Sequence, residues 1–306
     1  GAPKYKTVMY RAIPEESTRI AMLQTGEADI IGISRERVAE LQARGFKVFV
    51  KERGSVMGCY MHQQWEDMPV ADRRVRQALN LAINREEIVR FIFAGQAKLM
   101  AMYPVGSFAV AAGADPSLKP YPYDPEKARQ LLKEAGYPNG FETTIYSYGR
   151  EDVPEMARLV EAIAGYMAKI GVKLNIFSTE YTVARTKRMT GKMPGHISCL
   201  GTPNRSNPGD LLTILHALHH SSSRFTDHQV PELDALIEKA MAATNVDEVK
   251  KTIGDIHRWM YNDYGTIPIA EVSIPFVADP KKITRWDLGR TLYDNNDRDL
   301  IKAVQR

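Results

Sequence analysis

Residues 72–89 read DRRVRQALNLAINREEIV, and this stretch decides the kind of fold that the chain can adopt. Asp72 can cap a first helix, because its carboxylate can accept from first-turn amides. Asn84 can cap a second helix in the same way, and Glu87 can reach back as in a capping box. The apolar positions recur at the spacing of one helix face: Val75, Leu79, Ala82 and Ile83. We predict two consecutive helices on a core, with the four arginines of the stretch mostly on the outward face.

The same residue patterns that start and end helices recur along the chain. In residues 123–141, YDPEKARQLLKEAGYPNGF, Asp124 can cap a helix, Pro125 suits its first position and Gly136 ends it. Apolar residues then step at three- and four-residue intervals over residues 156–170. Short strand-like runs lie between the helical patterns: YKTVMY, FKVFVK, SVMGCYMH, FETTIYSY, VKLNIF, HISCL and TIPIAEVS. Interleaved strands and helices predict an α/β fold.

The charge balance argues against a nucleic-acid-binding protein. The 306 residues carry 41 Lys and Arg against 37 Asp and Glu, a formal net charge of +4. A protein that grips phosphates concentrates its basic residues on one face, whereas acidic residues surround the arginines of residues 72–89. With 44% hydrophobic and 25% charged residues, the chain has the composition of a globular protein long enough for two packed units.

The sequence contains no run of about 18 apolar residues that would predict a membrane-spanning helix. Residues 1–16 lack the apolar core of a signal peptide. The chain is therefore either cytosolic or a processed or truncated secreted protein.

Cys59 and Cys199 are the two cysteines of the chain, too few for a disulfide scaffold and too far apart in sequence for a thiolate metal site. Both lie in apolar, strand-like contexts. We expect buried free thiols, with a disulfide between them as the alternative.

Motifs that would indicate an enzyme are absent. The sequence has no nucleophile elbow, phosphate-binding glycine loop, dinucleotide fingerprint or zinc-protease motif. An enzyme that used Asn204 and Arg205 electrostatically would still lack a nucleophile or a base. We therefore expect a protein that is not an enzyme.

A histidine cluster supports an alternative function. The cluster contains His216, His219 and His220, with His228 further on. His216 and His220 are four residues apart, so they would share one helix face and could hold one metal ion. No acidic third ligand lies within a helical turn. A metal-handling protein, either a nickel importer subunit or a metallohydrolase, is the alternative, and otherwise these are ordinary histidines.

The loop GTPNRSNPGD at residues 201–210 favours a binding site. It places Asn204, Arg205, Ser206 and Asn207 directly after the apolar strand HISCL. The carboxyl end of such a strand faces the ligand crevice in α/β folds. The guanidinium of Arg205 is a planar fork suited to a carboxylate or another anion. The alternative is a polar surface turn.

Several stretches together resemble one protein family. They are, in order, IPEESTRIAMLQTGEADI, DRRVRQALNLAINREEIV, YPYDPEKARQLLKEAGYPNGF, MAKIGVKLNI and VPELDALIEKAMAATNVDEVKKTIGDIHRWMYNDYGTIPI. In this order and spacing they are similar to the extracytoplasmic solute-binding proteins of ABC importers, specifically the dipeptide/oligopeptide/nickel-binding family 5. The resemblance covers nearly all of the chain.

The resemblance implies a periplasmic-binding-protein-like, two-lobed α/β fold of type II that closes on a solute. Residues 1–54 would be the end of a lobe I segment, residues 55–270 would form lobe II, and residues 271–306 would return to lobe I. Because family members look considerably longer, we expect that the N-terminal part of lobe I is missing and that the chain is the C-terminal portion of such a protein.

The resemblance also implies ligand-binding residues, because the family's two cleft segments are similar to SVMGCYMHQQ and CLGTPNRSNPGD. The candidates are Met57, Cys59, Tyr60, His62, Thr202, Asn204 and Arg205. Peptide-binding members often have an aspartate near the position of Asn204 that holds the peptide's α-ammonium. Here an amide lacks that charge, and Arg205 would repel an ammonium. This departure favours a solute with a carboxylate or other acceptors.

The resemblance further implies how the protein works. It would capture a peptide or a similar small polar solute and present it to an ABC permease and its ATPase. No cofactor, catalytic residue or nucleic acid is involved on this interpretation. The protein would be a periplasmic monomer that meets the membrane through the permease alone.

Overall fold

The computed structural model describes residues 15–63, 68–148, 154–190, 197–227 and 229–286, together with residues 7, 9–11, 13 and 302–303. Half of the predicted strand YKTVMY, residues 5, 6 and 8, lies outside the described residues, and the other half, residues 7, 9 and 10, is not in a strand. All structural statements below concern the described residues.

Strands and helices alternate along the chain, as the sequence predicts. The strands are β1 (Ile30–Gly32), β2 (Lys47–Met61), β3 (Ala97–Leu99), β4 (Phe141–Ser147), β5 (Val172–Ser178), β6 (Ile197–Pro203), β7 (Thr266–Ala278), β8 (Ile283–Arg285) and β9 (Lys302–Ala303). The α-helices are α1 (Glu16–Thr25), α2 (Val38–Ala43), α3 (Arg73–Leu81), α4 (Arg85–Phe91), α5 (Pro125–Glu134), α6 (Met156–Ala168), α7 (Tyr181–Met189), α8 (Pro208–His219), α9 (Pro231–Ala242) and α10 (Val246–Asp263). Short 3₁₀ helices occur at Arg35–Arg37, Pro69–Ala71 and Ser107–Ala112.

Most strands form one mixed sheet in the order β1-β7-β2-β6-β4-β5, and β3 also pairs with β7. Strand β4 runs parallel to β5 and to β6, whereas β2 runs antiparallel to both β6 and β7. Because β4, β5 and β6 are mutually parallel, their carboxyl ends point to the same edge of the sheet. We call this edge the carboxyl edge.

The sequence pattern predicted two strands where the structure has one long strand, β2. The segments FKVFVK and SVMGCYMH are joined through a bulge, where the pairing of β2 with β7 shifts register between Lys51 and Ser55. Arg53 has a φ of +50° at this point, which is the left-handed conformation. Charged and glycine residues interrupt the alternation of the sequence, but the ladder continues on both sides. The bulge is therefore a bend within a continuous strand.

The predicted helix starts are confirmed because each depends on local chemistry. The backbone amide of Arg74 donates to Asp72 Oδ1 at 2.7 Å, and that of Glu87 donates to Asn84 Oδ1 at 3.1 Å. The amide of Lys127 donates to Asp124 Oδ1 at 2.9 Å. Each contact satisfies a first-turn amide that has no partner inside the helix.

Two of the four arginines in residues 72–89 are buried, so their predicted outward position is wrong. Arg76 is 4% exposed and its Nη2 lies 2.5 Å from Asp263 Oδ1. Arg85 is 3% exposed, donates from Nε to the carbonyl of Pro268 at 2.6 Å, and from Nη2 to Asn80 Oδ1 at 2.8 Å. Burial lowers the pKa of Arg85 to about 10. These arginines tie α3 and α4 to the end of α10 and the start of β7.

The two cysteines form a disulfide, which corrects the expectation of free thiols. Cys59 of β2 and Cys199 of β6 are directly opposite each other in the antiparallel ladder, and neither is exposed. Sequence spacing could not reveal this pairing, because 140 positions separate the two residues. The strand register brings them together.

Apolar side chains cover both faces of the central strands. On one face, Met57, Cys59 and Met61 of β2 pack in a large cluster with residues of α3, α4, α5 and α6. On the other face, Val56 and Tyr60 pack with Tyr103. A third cluster joins α8, α9 and α10 to the segment 102–114, and a smaller one joins α1, α2 and β1 to β7. The central strands are therefore buried on both sides, whereas most of the edge strand β5 is exposed.

Candidate functional site

A cavity of about 460 Å³ opens at the carboxyl edge. Its polar lining comes from the ends of β4 and β5 and the residues that follow: Ser147, Ser178, Thr179 and Glu180. Its other wall is the start of α6, with Pro154, Met156 and Ala157. Hydroxyl groups and the Glu180 carboxylate on one side face apolar groups on the other, and the cavity is open to solvent because several of these residues are exposed.

A buried polar cluster lies beyond the end of β6, where the bulge of β2 and strand β7 meet. We call Arg53, Ser107, Asn204 and Glu271 the Glu271 network. The Glu271 carboxylate accepts from the Ser107 amide at 2.7 Å, from the Ser107 hydroxyl at 2.6 Å and from Asn204 Nδ2 at 3.0 Å. Arg53 Nη1 donates to Ser107 Oγ at 3.1 Å. The network links the bulge of β2, β7, the loop after β6 and the 3₁₀ helix at Ser107–Ala112.

Asn204 is a buried member of this network, and its Oδ1 has no hydrogen-bond partner in the described part of the chain. It is 1% exposed, and its Nδ2 donates to the carbonyl of Arg53 at 3.2 Å as well as to Glu271. Gly106 allows its close approach, because a Cβ atom at that glycine would stand 2.5 Å from Asn204 Oδ1. The side chain therefore fixes the loop after β6 against the bulge of β2.

Arg205 is the next residue and has a different environment. Its Nη1 donates to the carbonyl of Pro203 at 2.9 Å, and the residue is partly exposed. Among the described residues, its Nε and Nη2 have no hydrogen-bond partner. Thr202, two residues before Asn204, is buried on β6. Thr202, Asn204 and Arg205 thus lie close together in sequence at the end of β6, and the guanidinium is the accessible polar group of the three.

The other predicted ligand-binding residues lie inside the protein. Met57 and Cys59 point into the helix-covered core. Tyr60 points to the opposite face, where its ring centroid lies 4.8 Å from that of Tyr103. His62 Nε2 lies 2.8 Å from Ser198 Oγ, and both side chains are fully buried. All four residues are fully buried, and none of them lines the cavity.

The clustered histidines take up three different environments. The rings of His216 and His220 stack with centroids 4.6 Å apart, as their spacing of four residues predicts. His220 Nδ1 also lies 2.8 Å from Ser222 Oγ. His219 is buried and its Nδ1 lies 2.8 Å from Asp227 Oδ1. Within the described ranges no group of three or more His, Cys, Asp or Glu residues could hold a metal ion. His228 lies outside them.

The fold belongs to the class of two-lobed periplasmic binding proteins, as known structures show. The chain matches the peptide-bound DppA of Helicobacter pylori over 96% of its own length and 56% of that chain, with a TM-score of 0.82 and 23% identity. It matches NikA of Brucella suis in complex with Fe(III)-EDTA over 100% and 63%, with a TM-score of 0.76 and 18% identity. The predicted α/β fold class is therefore confirmed.

The chain belongs to family 5 of the bacterial extracellular solute-binding proteins, because the profile described as "Bacterial extracellular solute-binding proteins, family 5 Middle" matches residues 1–217. Heme-binding protein A of Haemophilus influenzae is 31% identical over 260 residues, which are 84% of this chain and 47% of that protein. The glutathione-binding protein GsiB of Escherichia coli K12 is 36% identical over 176 residues, 58% of this chain and 33% of that protein. The chain thus spans about half, or less, of these curated relatives.

These findings confirm the predicted family and its extracytoplasmic, periplasmic location. The described helices include none that is both long and apolar enough to cross a membrane.

Glu271, Ser107 and Arg53 were not singled out from the sequence. The available signal was the glutamate within the apolar run TIPIAEVS, because a charge inside a buried strand requires partners.

Proposed function

We propose that this chain is part of the solute-binding subunit of an ABC importer, which holds a peptide or a similar small polar solute between two lobes. The observation that carries the proposal is the cavity at the carboxyl edge, lined by the ends of two parallel strands and the start of α6. In open α/β sheets ligands bind beyond the carboxyl ends of the strands. The family and fold support the same function.

We also propose the division into lobes that the sequence suggested. Residues 1–54 and 271–306 would belong to lobe I and residues 55–270 to lobe II. The bulge of β2 lies at the first boundary, and Glu271 of β7 lies at the second. A hinge needs a few residues, in loops or at the ends of strands and helices, whose backbone angles can change when the lobes move. The bulge, where Arg53 already has a positive φ, supplies such positions.

Transport without chemical change is part of the proposal. A histidine and a serine lie in hydrogen-bond contact at His62 and Ser198, but both are fully buried and neither lines the cavity. A nucleophile and its base must reach the substrate to act. The protein would therefore release its solute intact to a permease and its ATPase, and it would work as a monomer.

Binding measurements on the complete protein test this function. We would titrate dialanine, trialanine, glutathione, hemin and succinate by calorimetry, and analyse any bound solute by mass spectrometry. We expect at least one of these probes to bind and to be recovered unchanged. A folded protein that binds none of them, or that converts a bound probe, would contradict the proposal.

A cavity-filling variant locates the site. Ser178 lines the cavity at the end of β5, so Ser178→Trp should weaken binding of that probe about tenfold or more by occupying its space. Ile176→Trp is the matched control, because Ile176 is an exposed residue on the same strand that does not line the cavity. Equal affinity in the two variants would place the solute elsewhere.

A further inference from the structure

We infer that Arg35 is a positioning residue for solute binding. Through its buried ion pair with Glu155, it holds the start of α6, which is one wall of the cavity, against the strand β7. Arg35 does not line the cavity itself. This inference rests on the proposed function and the proposed lobes, and it makes the affinity of a cavity in lobe II depend on a residue of lobe I.

The start of α6 is both a wall of the cavity and the place where the ion pair is attached. Pro154, Met156 and Ala157 line the cavity, and Glu155 is the residue after Pro154. The Glu155 side chain does not cap its own helix. It is turned to Arg35 instead, whose Nη1 lies 2.5 Å from Glu155 Oε1. A displacement of Glu155 therefore displaces the residues that form the apolar wall.

The same guanidinium is attached to β7 next to the proposed hinge. Arg35 Nη2 donates to the carbonyl of Ser273. The Ser273 hydroxyl donates to Glu52 Oε2 at 2.9 Å and accepts from the backbone amide of Arg53 at 3.3 Å. Glu52 and Arg53 lie in the bulge of β2, between the two positions where its pairing with β7 shifts register. Arg35 thus connects the cavity wall to the hinge through a single side chain.

The Arg35 side chain is enclosed by residues of the proposed lobe II. Its guanidinium carbon lies 5.7 Å from the ring centroid of Phe93, which is buried. Phe93 and Met156 belong to the same core cluster. The position of the guanidinium is therefore fixed by packing as well as by charge. A side chain that is locked in this way can hold the residues of a binding site in place.

A second ion pair joins the same two segments, but it is exposed. Glu36 Oε1 lies 2.5 Å from Arg158 Nη2, and both side chains are about half exposed. Water screens such a pair, so it contributes little to the position of α6. Water does not screen Arg35 and Glu155, and separating them would leave two buried charges without compensation. The buried pair therefore determines how the start of α6 follows lobe I when the lobes move.

A variant without the buried charges tests this role in the complete protein. Arg35→Met/Glu155→Leu leaves no unpaired charge in the core, so it keeps most of the stability that a single substitution would lose. We expect this double variant to bind the probe that binds wild type about tenfold more weakly, because apolar contacts do not hold α6 to β7 in one direction. Calorimetry measures the affinity, and urea unfolding confirms that the variant is folded.

A conservative variant and an exposed-pair variant are the controls. Arg35→Lys keeps the positive charge but lacks the planar fork that contacts Glu155 and Ser273 together, so its affinity should be about threefold below wild type, between the other two. Glu36→Gln removes only the exposed pair, and its affinity should stay within about twofold of wild type. Stopped-flow measurements should place the loss in the double variant in faster dissociation.

The outcomes separate this inference from the proposed function. Wild-type affinity in the folded double variant, or equal losses in the double variant and in Glu36→Gln, would overturn the inference and leave the proposed function intact. If the double variant does not fold, wild-type affinity in Arg35→Lys would overturn it, and a loss of about threefold would support it. If no probe binds to the wild-type protein, the proposed function fails and this inference fails with it.

Discussion

Replacing both Cys59 and Cys199 by alanine is expected to lower the free energy of unfolding by about 3–5 kcal/mol. The disulfide closes a loop between residues 140 positions apart, and it joins the two strands β2 and β6 that lead to the candidate site. A crosslink over so long a loop removes many conformations from the unfolded chain. Urea unfolding of the complete protein, followed by circular dichroism, measures the difference.

Treatment of the wild-type protein with a reductant is the control for this prediction. Wild-type protein that is unfolded and refolded with a reductant should match the double alanine variant. Without denaturant the bond should resist the same reductant, because both cysteines are fully buried, and a thiol-labelling reagent should find no free thiol. An unfolding midpoint that is the same with and without reductant would show that the two cysteines are not crosslinked.

The second large effect concerns the ion pair between Arg35 and Glu155. Arg35 Nη1 lies 2.5 Å from Glu155 Oε1, and the two side chains are only 3% and 2% exposed. Arg35 also donates to the carbonyl of Ser273 in β7. Glu155→Gln should lower the free energy of unfolding by about 3–5 kcal/mol, because it leaves the guanidinium buried without a compensating charge.

A neighbouring ion pair is the matched control. Glu36 and Arg158 join the same two segments at 2.5 Å, but their side chains are about half exposed. Glu36→Gln should cost less than about 1 kcal/mol, because water screens an exposed pair. The double variant Arg35→Met/Glu155→Leu should recover most of the stability lost in Glu155→Gln, since it leaves no buried charge. Equal losses for Glu36→Gln and Glu155→Gln would show that burial does not strengthen the Arg35 pair.

Local features were predictable from the sequence. Asp72, Asn84 and Asp124 cap their helices as predicted, because a cap depends on a side chain and an amide two or three residues away. The spacing of apolar residues in α3 and α6 correctly predicted which of their side chains lie in the core, because this spacing also depends only on nearby positions. The order of the family signatures was sufficient to predict the fold class.

Features that depend on distant partners were missed. Arg76 and Arg85 fall at positions that a helical pattern assigns to the surface, but their partners Asp263 and Pro268 lie more than 180 residues away. The pairing of the cysteines depends on the register of β2 and β6, which a sequence pattern does not specify.

The sequence singled out the polar loop after β6, and the role of this loop in binding stays a prediction. The loop after β6 was recognised because its polar residues directly follow an apolar strand. The sequence could not show that Asn204 turns inward to Glu271 while Arg205 stays accessible, because that choice depends on β7 and on the close approach at Gly106. Similarly, alternation along β2 could not show that both faces of the strand are covered by apolar clusters.

The central claim is that two lobes, joined through β2 and β7, close on a small solute. Small-angle X-ray scattering of the complete protein, with and without a probe that binds by calorimetry, tests it most directly. We predict that the radius of gyration falls when the probe is added and that Ser178→Trp suppresses this change. A radius of gyration that stays constant while the probe is fully bound would contradict a hinged clamp.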